Sequence, residues 1–157
     1  GSNLKLASGA ADIVGYREQG IRVGIGTDGC SSSNDLDMFA AMRLAANLAR
    51  LVRDDPAALS ARDVVSAATL EGARALGLGD RIGTIEVGKE ADLIALDLRS
   101  PHLVPVHDPY TSVVFSAGRS DVRHVLVAGA PVVVDGQATR VDSDDVMAAA
   151  LRVVDAT

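Results

Sequence analysis

Cysteine and aromatic residues are scarce in this sequence. Its 157 residues include one cysteine, Cys30, two phenylalanines, two tyrosines and no tryptophan. A single cysteine cannot form an internal disulfide, so a disulfide-stabilised scaffold is excluded and a reducing, cytoplasmic environment is expected. Because aromatic side chains are so few, the core must be built mainly from Val, Leu, Ile and Ala.

Long apolar runs are also missing. No stretch reaches the roughly 20 apolar residues of a membrane-spanning helix, and no basic and then apolar leader opens the chain. The composition, with 48% hydrophobic and 23% charged residues, is typical of globular proteins and excludes a disordered tail. The length corresponds to about one domain. We therefore expect a globular protein without a membrane partner.

Basic residues are fewer than acidic ones. The chain has 15 lysines and arginines against 21 aspartates and glutamates, which gives a formal net charge of −6 at pH 7. Proteins that bind nucleic acids regardless of sequence need clustered cations to replace the counterions of the phosphates. The charge balance therefore argues against a nucleic-acid partner.

The first residues predict a helix, a strand and a loop. A helix is expected over 11–20, with Gly20 at the position where glycine commonly ends a helix. Residues 21–26 form a short apolar run, which is typical of a buried strand in a parallel sheet. A polar loop is expected over 27–34. Since such a strand needs parallel neighbours that this chain does not offer, the sequence looks like part of a larger fold.

Two further helices complete the first half of the chain. The first is expected to begin at Asn34 or Asp35 and to end near Arg53, with apolar residues at helical spacing on one face. Ser60 is predicted to cap the second, because Asp63 follows three residues later as in a capping box. Both helices are expected to pack one face on the core.

The character of the sequence changes near residue 80. Two β-rich segments, 122–128 and 131–134, are separated by a tight turn that contains Gly129, so we predict a hairpin there. Another strand is expected over 93–98, and a closing helix over 141–154. The change near residue 80 is the only candidate domain boundary.

The loop after the predicted strand contains a glycine pattern. Residues 24–29, Gly-Ile-Gly-Thr-Asp-Gly, match the G-x-G-x-x-G fingerprint of dinucleotide-binding proteins. Against this interpretation, the next helix is expected only near Asp35, so no helix N-terminus would face a pyrophosphate. The charge of Asp28 would also repel a phosphate. A dinucleotide site is therefore disfavoured.

Asp28 itself supports another interpretation of the loop. A carboxylate at the C-terminal end of a buried parallel strand lies where α/β barrels carry their catalytic residues. Such a carboxylate can ligate a divalent metal or accept a proton from metal-bound water. By spacing alone, Asp28 can equally cap a turn or the next helix, so both interpretations stay open.

The histidines do not form a recognisable metal motif. His102, His107 and His124 all lie in the second half, and no two of them have H-x-H or H-x-x-x-H spacing. A self-contained zinc site needs three or four protein ligands, which this chain does not visibly supply. His107 is interpreted as a loop residue. Cys30 lacks a nearby base that would activate it as a nucleophile.

Five segments in a fixed order carry a resemblance to a known family. They are residues 1–9, the Gly-Thr-Asp-Gly at 26–29, and residues 33–39, 68–77 and 83–93. Together they strongly resemble the C-terminal third of amidohydrolase-superfamily enzymes. The nearest branch is that of the 5′-methylthioadenosine/S-adenosylhomocysteine deaminases and chlorohydrolases. The resemblance extends from Gly1 to about Val141.

The resemblance implies an α/β fold that is incomplete by itself. This fold is the C-terminal portion of a metal-dependent (β/α)8 barrel together with strands of a small β-sandwich. Residues 1–79 would supply the last strand and helices of the barrel. Residues 80–157 would supply the C-terminal sandwich strands and the closing helix. Gly1 would then be an internal point of a longer cytoplasmic protein.

The resemblance also implies a metal and substrate site. In the family, the aspartate at the end of the last barrel strand binds zinc or iron and accepts a proton from its water. Asp28 matches that aspartate and is therefore the predicted catalytic residue and metal ligand. Ser32 matches, by count, a serine that contacts the substrate. The remaining metal ligands and a glutamate acid are expected outside this chain, which alone should be inactive.

The implied activity is hydrolytic deamination of an adenine-type nucleoside such as 5′-methylthioadenosine or S-adenosylhomocysteine. The alternatives within the family are a guanine or 8-oxoguanine aminohydrolase and a triazine aminohydrolase or chlorohydrolase. An alternative of another class is a non-catalytic fragment that associates with a complementary chain, because unpaired sheet edges favour association. We expect a homo-oligomer or association with the missing N-terminal part.

Overall fold

Helices occupy the first half of the chain, and a small antiparallel sheet occupies much of the second. The computed structural model describes residues 1–154; residues 155–157, the last three of the predicted 80–157 unit, lie outside the described part. The helices are α1 (Ser2–Lys5), α2 (Ile13–Glu18), α3 (Cys30–Ser33), α4 (Met38–Arg53), α5 (Ala61–Ala68), α6 (Leu70–Ala75), α7 (Pro109–Thr111) and α8 (Ser143–Val154). The strands are β1 (Leu93–Leu96), β2 (Val122–Val127), β3 (Ala130–Val134) and β4 (Gln137–Ala138). A π-helical turn at Ser112–Ser116 and a 3-10 turn at Arg119–Asp121 precede β2. Over residues 1–154, the helices lack the combined length and hydropathy that a membrane crossing would require.

The long helix α4 begins later than the sequence predicts. Its cap is Asp37, whose carboxylate accepts hydrogen bonds from the amides of Phe39 and Ala40. The prediction that Asn34 or Asp35 caps this helix is therefore wrong. Asn34 ends the preceding one-turn helix α3 with a φ of 64°, a left-handed conformation that asparagine tolerates better than most residues. The polar stretch thus holds a short helix of its own.

Most other helix boundaries agree with the local signals. The helix predicted over 11–20 is α2, and Gly20 follows it with a φ of 76°. The Ser60 hydroxyl accepts a hydrogen bond from the amide of Asp63, which confirms the predicted cap of α5. The closing helix predicted over 141–154 is α8. These features are local because a cap satisfies amides within its own helix turn.

No strand forms over residues 21–26, so this prediction is wrong for the described chain. A parallel strand is held by hydrogen bonds to neighbouring strands, and the sheet in the described residues is antiparallel throughout. The segment lies instead against the end of α5, where the Ile25 amide donates to the Ala67 carbonyl at 3.1 Å. Gly24 also lies close to Gly72, since a Cβ on Gly24 would be 3.0 Å from the Cα of Gly72. These contacts fix the chain just before Asp28.

The sheet has the strand order β1–β2–β3–β4, and every neighbouring pair is antiparallel. The predicted hairpin is confirmed between β2 and β3. Ala128 and Gly129 form its turn with φ angles of 48° and 78°. Positive φ at both central positions is typical of a type I′ turn, whose twist matches that of the flanking strands. Strand β1 is an edge of this sheet, and Ile94 on it is exposed.

The core joins residues from both sides of the predicted boundary near residue 80. It is formed by α4, α5 and the segment that contains the π-helical turn. Val64 and Val114 are its largest fully buried side chains. Leu103 and Ala117 belong to the same cluster. As the composition predicts, the cluster is mainly aliphatic, with Phe39 as its buried aromatic residue.

Candidate catalytic aspartate and its loop

Asp28 lies in the loop just before α3. Its backbone has a φ of 63°, in the left-handed region that aspartate and asparagine adopt more readily than most residues other than glycine. Its side chain turns back on the loop. The Oδ1 atom accepts a hydrogen bond from the Gly29 amide at 2.7 Å, and Oδ2 accepts one from the Ser32 hydroxyl at 2.8 Å. The structure therefore brings together the two site residues that the sequence predicts.

The donors around Asp28 favour its ionised form. The Gly29 amide, followed by the hydroxyls of Ser2 and Ser32, holds the pKa of the Asp28 carboxyl below its usual value, although partial burial works in the opposite direction. Ser2 is buried, whereas Asp28 is exposed. At neutral pH the site thus presents a carboxylate with free lone pairs, which can ligate a cation or accept a proton.

Two long-range contacts hold the residues that follow Asp28. Arg119 pairs with Asp35 at 2.8 Å, across 84 residues of sequence. On the other side, the ammonium group of Lys5 donates to the side-chain carbonyl of Asn34. Within the loop, the Ser33 hydroxyl donates to the carbonyl of Asp35 at 2.6 Å. The loop between Asp28 and α4 is therefore attached both to α1 and to the segment before β2.

A cavity of about 390 Å³ lies beside the carboxylate. Ser2, Thr27 and Asp28 line its polar side, and side chains from α4, including Leu44 and Leu48, line its apolar side. A second cavity of about 730 Å³ shares Gly24, Ile25 and Gly26 with the first and is otherwise lined by α6 and by residues in the range 82–94. The segment that ends at Asp28 thus borders two open spaces.

The structure does not bring the histidines to Asp28. His107 lies in a loop, as predicted. The Nε2 atom of His102 is 3.1 Å from Oδ2 of the buried Asp121. His124 on β2 accepts a hydrogen bond from the amide of Asp135, which follows β3. His102 and His124 therefore have partners in the fold other than Asp28.

Sequence reasoning missed three residues of the candidate site. Ser2, Arg119 and Lys5 all hold Asp28 or its loop, and each lies far from that loop in sequence. No periodicity or short motif marks such contacts. They follow from the packing of α1 and of the 117–121 segment around the loop.

The last glycine of the glycine pattern binds the Asp28 carboxylate through its amide. Contrary to the sequence-based expectation, a helix does begin at the glycines, because α3 starts directly after Gly29. However, the amide of Gly29 that could bind a phosphate donates to the carboxylate of Asp28 instead. The negative charge of Asp28 therefore occupies the place that a pyrophosphate would need.

The donor set at Asp28 fits one ligand of a divalent metal and no more. A carboxylate is a suitable ligand for zinc, and the Asp28 carboxylate keeps lone pairs beyond the hydrogen bonds from Gly29 and Ser32. Within residues 1–154, no group of three or more His, Cys, Asp or Glu side chains could hold a metal ion. That the other metal ligands lie outside this chain stays a prediction.

Comparison with known proteins identifies the family. Residues 1–132 match the amidohydrolase family. A 5-methylthioadenosine/S-adenosylhomocysteine deaminase from Syntrophobacter fumaroxidans is 47% identical over 146 residues, which are 93% of this chain and 33% of that protein. The chain therefore spans about a third of the length of the curated relatives it matches.

Solved structures agree with this match. A zinc-bound adenosine deaminase from Xanthomonas campestris superposes with a TM-score of 0.95 at 46% identity, over 98% of this chain and 35% of that one. A zinc complex of atrazine chlorohydrolase from Arthrobacter aurescens gives a TM-score of 0.88 at 30% identity, over 98% and 34% of the two chains. These superpositions confirm the prediction of an incomplete part of the (β/α)8-barrel fold. The chain belongs to the amidohydrolase family.

Proposed function

We propose that this chain is part of a metal-dependent hydrolase that deaminates an adenine-type nucleoside. The substrate would be a small molecule such as 5′-methylthioadenosine or S-adenosylhomocysteine. The observation that carries this proposal is the Asp28 carboxylate, whose two oxygens accept hydrogen bonds from the Gly29 amide and the Ser32 hydroxyl and whose pKa is held below its usual value. The similarity to a zinc-bound adenosine deaminase and to a 5-methylthioadenosine/S-adenosylhomocysteine deaminase supports the same reaction.

Asp28 has two roles in the proposed reaction. It would be one ligand of a divalent metal, zinc or alternatively iron, with the other ligands outside this chain. The metal, when bound, would acidify a water molecule and polarise the reacting carbon. Asp28 would take a proton as the water oxygen bonds to the ring carbon that carries the amino group. It would then return the proton to the departing nitrogen, so that ammonia leaves and an adenine ring becomes a hypoxanthine ring.

Ser32 is proposed to face the substrate from the same loop. Its side chain is half-buried and its hydroxyl lies 2.8 Å from Asp28, so a substrate held there would be next to the proton acceptor. The apolar side of the adjacent cavity offers a surface for a ring or a thioether. This arrangement supports binding and proton transfer at one place.

We also propose how the chain fits into a whole enzyme. Residues 1–79 would contribute the last strand and helices of the barrel, and residues 80–157 the sandwich strands and closing helix. Once neighbouring strands are present, residues 21–26 would complete the parallel sheet. The exposed edge of β1 and the 730 Å³ cavity beside Gly24 are surfaces that the rest of the enzyme would cover. The whole protein is proposed to be cytoplasmic and homo-oligomeric.

Two alternatives remain as competing proposals. A triazine hydrolase is supported by the 30% identity to atrazine chlorohydrolase, and a guanine or 8-oxoguanine deaminase would use the same carboxylate. The alternative of another class is a non-catalytic chain that binds a complementary one through its apolar surfaces. An intact mass of the natural protein near 16.1 kDa would favour that alternative, whereas a much larger mass favours the enzyme.

The test uses the whole natural protein that contains this segment. We would measure zinc content and ammonia release with 5′-methylthioadenosine, S-adenosylhomocysteine, adenosine, guanine, 8-oxoguanine and a triazine. We expect turnover of the adenine nucleosides and its loss in Asp28→Ala. Asp37→Ala is the matched control, because that aspartate only caps α4 and should leave a folded variant active. Near-normal turnover by Asp28→Ala would refute the catalytic role, and turnover of another substrate class alone would select that alternative.

A further inference from the structure

We infer that Ser32 and Ser2 are positioning residues that hold the Asp28 carboxylate in a single orientation. The inference deepens the proposed function, since it rests on Asp28 being the metal ligand and proton acceptor. It also gives Ser32 a role that differs from substrate contact. The two hydroxyls approach the carboxylate from different parts of the chain, Ser32 from α3 and Ser2 from α1.

The hydrogen of the Ser32 hydroxyl can serve one acceptor at a time. Two acceptors lie in reach: Oδ2 of Asp28 at 2.8 Å and the carbonyl oxygen of Gly29 at 3.0 Å. A bond to an ionised carboxylate is stronger than one to a neutral carbonyl, so the Asp28 bond is favoured. The hydroxyl then presents only lone pairs to any other group. Ser32 could therefore accept a hydrogen bond from a substrate but not donate one.

Ser2 completes the set of donors. It is one of the few buried polar residues in the described chain, with 7% of its surface exposed, and it lies in the short helix α1 that contacts α3. Ser2 and Asp28 line the same 390 Å³ cavity, so the Ser2 hydroxyl lies near the carboxylate and helps to keep its pKa low. A buried hydroxyl is costly unless it has a polar neighbour, and the carboxylate is such a neighbour.

Orientation matters because the Asp28 side chain is exposed. An exposed carboxylate otherwise rotates about its terminal bond, which has a broad and roughly twofold torsional preference. With the Gly29 amide on Oδ1 and the Ser32 hydroxyl on Oδ2, both oxygens are held. Groups that hold a metal ligand in this way affect both metal affinity and turnover.

The experiment compares three serine variants of the whole zinc-loaded protein. We expect Ser32→Ala to lower kcat and zinc affinity by about 10- to 100-fold, whatever the change in KM from the lost substrate contact, because the metal ligand and proton acceptor lose their orientation. Ser2→Ala should change the same quantities in the same direction. Ser32→Thr keeps the hydroxyl, so it should retain most of the kcat and most of the zinc affinity. Ser31→Ala is the matched control, since Ser31 is adjacent in α3 and its hydroxyl is absent from the hydrogen bonds of the described residues.

Zinc affinity is measured by competition with a chromophoric chelator, so it does not depend on turnover. A rise in KM with unchanged kcat and zinc affinity in Ser32→Ala would overturn the inference in favour of substrate contact alone. Unchanged values in Ser32→Ala and Ser2→Ala would also overturn it. If the unmodified protein deaminates none of the substrates, the proposed function fails, whereas the zinc competition still decides the positioning role. If one alanine variant does not fold, the other variant and the threonine variant provide the answer.

Discussion

The guanidinium group of Arg43 and the carbonyl oxygen of Ala117 are joined by a 2.8 Å hydrogen bond that spans 74 residues of sequence. A second bond from Nε of Arg43 reaches the carbonyl of Val114 at 3.2 Å. Helix α4 is thus tied to the π-helical turn, whose last carbonyls lack partners within the turn. Arg119, two residues after Ala117, forms an ion pair with Asp35 in the loop that follows Asp28. Arg43 therefore stabilises the segment on which that loop depends.

Arg43→Met is expected to destabilise the protein. It keeps the apolar length of the side chain but removes both hydrogen bonds, and bonds of this charged type contribute about 1.5–3 kcal/mol. The midpoint of thermal unfolding of the whole protein should fall. Arg43→Lys should lower the midpoint less than Arg43→Met does, since lysine keeps the charge but not the forked geometry of the guanidinium group. Arg99→Met is the surface control, because the Arg99 side chain is 88% exposed. If Arg99→Met lowered the midpoint as much as Arg43→Met, the stabilising role of the Arg43 hydrogen bonds would be contradicted.

Ala128→Asn is expected to stabilise the hairpin between β2 and β3. Ala128 has a φ of 48°, which is unfavourable for alanine, whereas asparagine followed by glycine is the preferred pair in this turn. The bond from the Ala128 amide to the Asp92 carboxylate involves only the backbone of residue 128, so it is retained. Relief of the strain should contribute about 0.5–1 kcal/mol.

The measurement for the hairpin is again the midpoint of thermal unfolding. Gly129→Ala provides the opposite control, because Gly129 has a φ of 78° that alanine adopts only with strain. We expect Ala128→Asn to raise the midpoint and Gly129→Ala to lower it. A lower or unchanged midpoint in Ala128→Asn would contradict the assignment of backbone strain to Ala128.

Features with a local cause could be predicted from the sequence. Ser60 and Asp63 cap α5 within one helical turn, and the turn at Gly129 joins two neighbouring strands. The prediction of a strand over 21–26 is wrong, because a parallel strand needs neighbouring strands and the described residues contain none that are parallel to it. An apolar run indicates burial, but it does not show which partner will provide the hydrogen bonds.

The candidate site was predictable in part. Asp28 and Ser32 are four residues apart in one loop; the family resemblance implies both, and the structure places them in contact. Ser2 lies 26 residues before Asp28 in the sequence and influences its carboxylate. Arg119 lies 84 residues after Asp35, with which it forms an ion pair. Such contacts depend on how α1 and the 117–121 segment pack. A single sequence contains no local signal for that packing.

Asp121 predicts a specific dependence of stability on pH. Burial works to raise the pKa of this carboxyl, but the Gly118 amide, His102 and Ser100 together hold the pKa below its ordinary value of 3.8. The Gly118 amide and the Ser100 hydroxyl donate to it at 2.9 and 3.2 Å, and His102 lies 3.1 Å away. Since the carboxyl is harder to protonate in the folded protein, its contribution is fully present above pH 3.8. It is lost as the pH falls through the lower pKa of the folded state.

Asp121→Asn should therefore be less stable than the unmodified protein at pH 7, and the difference should shrink below about pH 4. The free energy of unfolding would be measured by urea denaturation from pH 3 to pH 7 at constant ionic strength. Asp135→Asn is the surface comparison, because the Asp135 side chain is 68% exposed and its pair with Arg123 should contribute little to stability. A difference between Asp121→Asn and the unmodified protein that stays constant down to pH 3 would show that the charge of Asp121 does not stabilise the fold. A difference that narrows on acidification is the expected result, because the buried carboxylate holds the chain between Gly118 and His102 only while it is ionised.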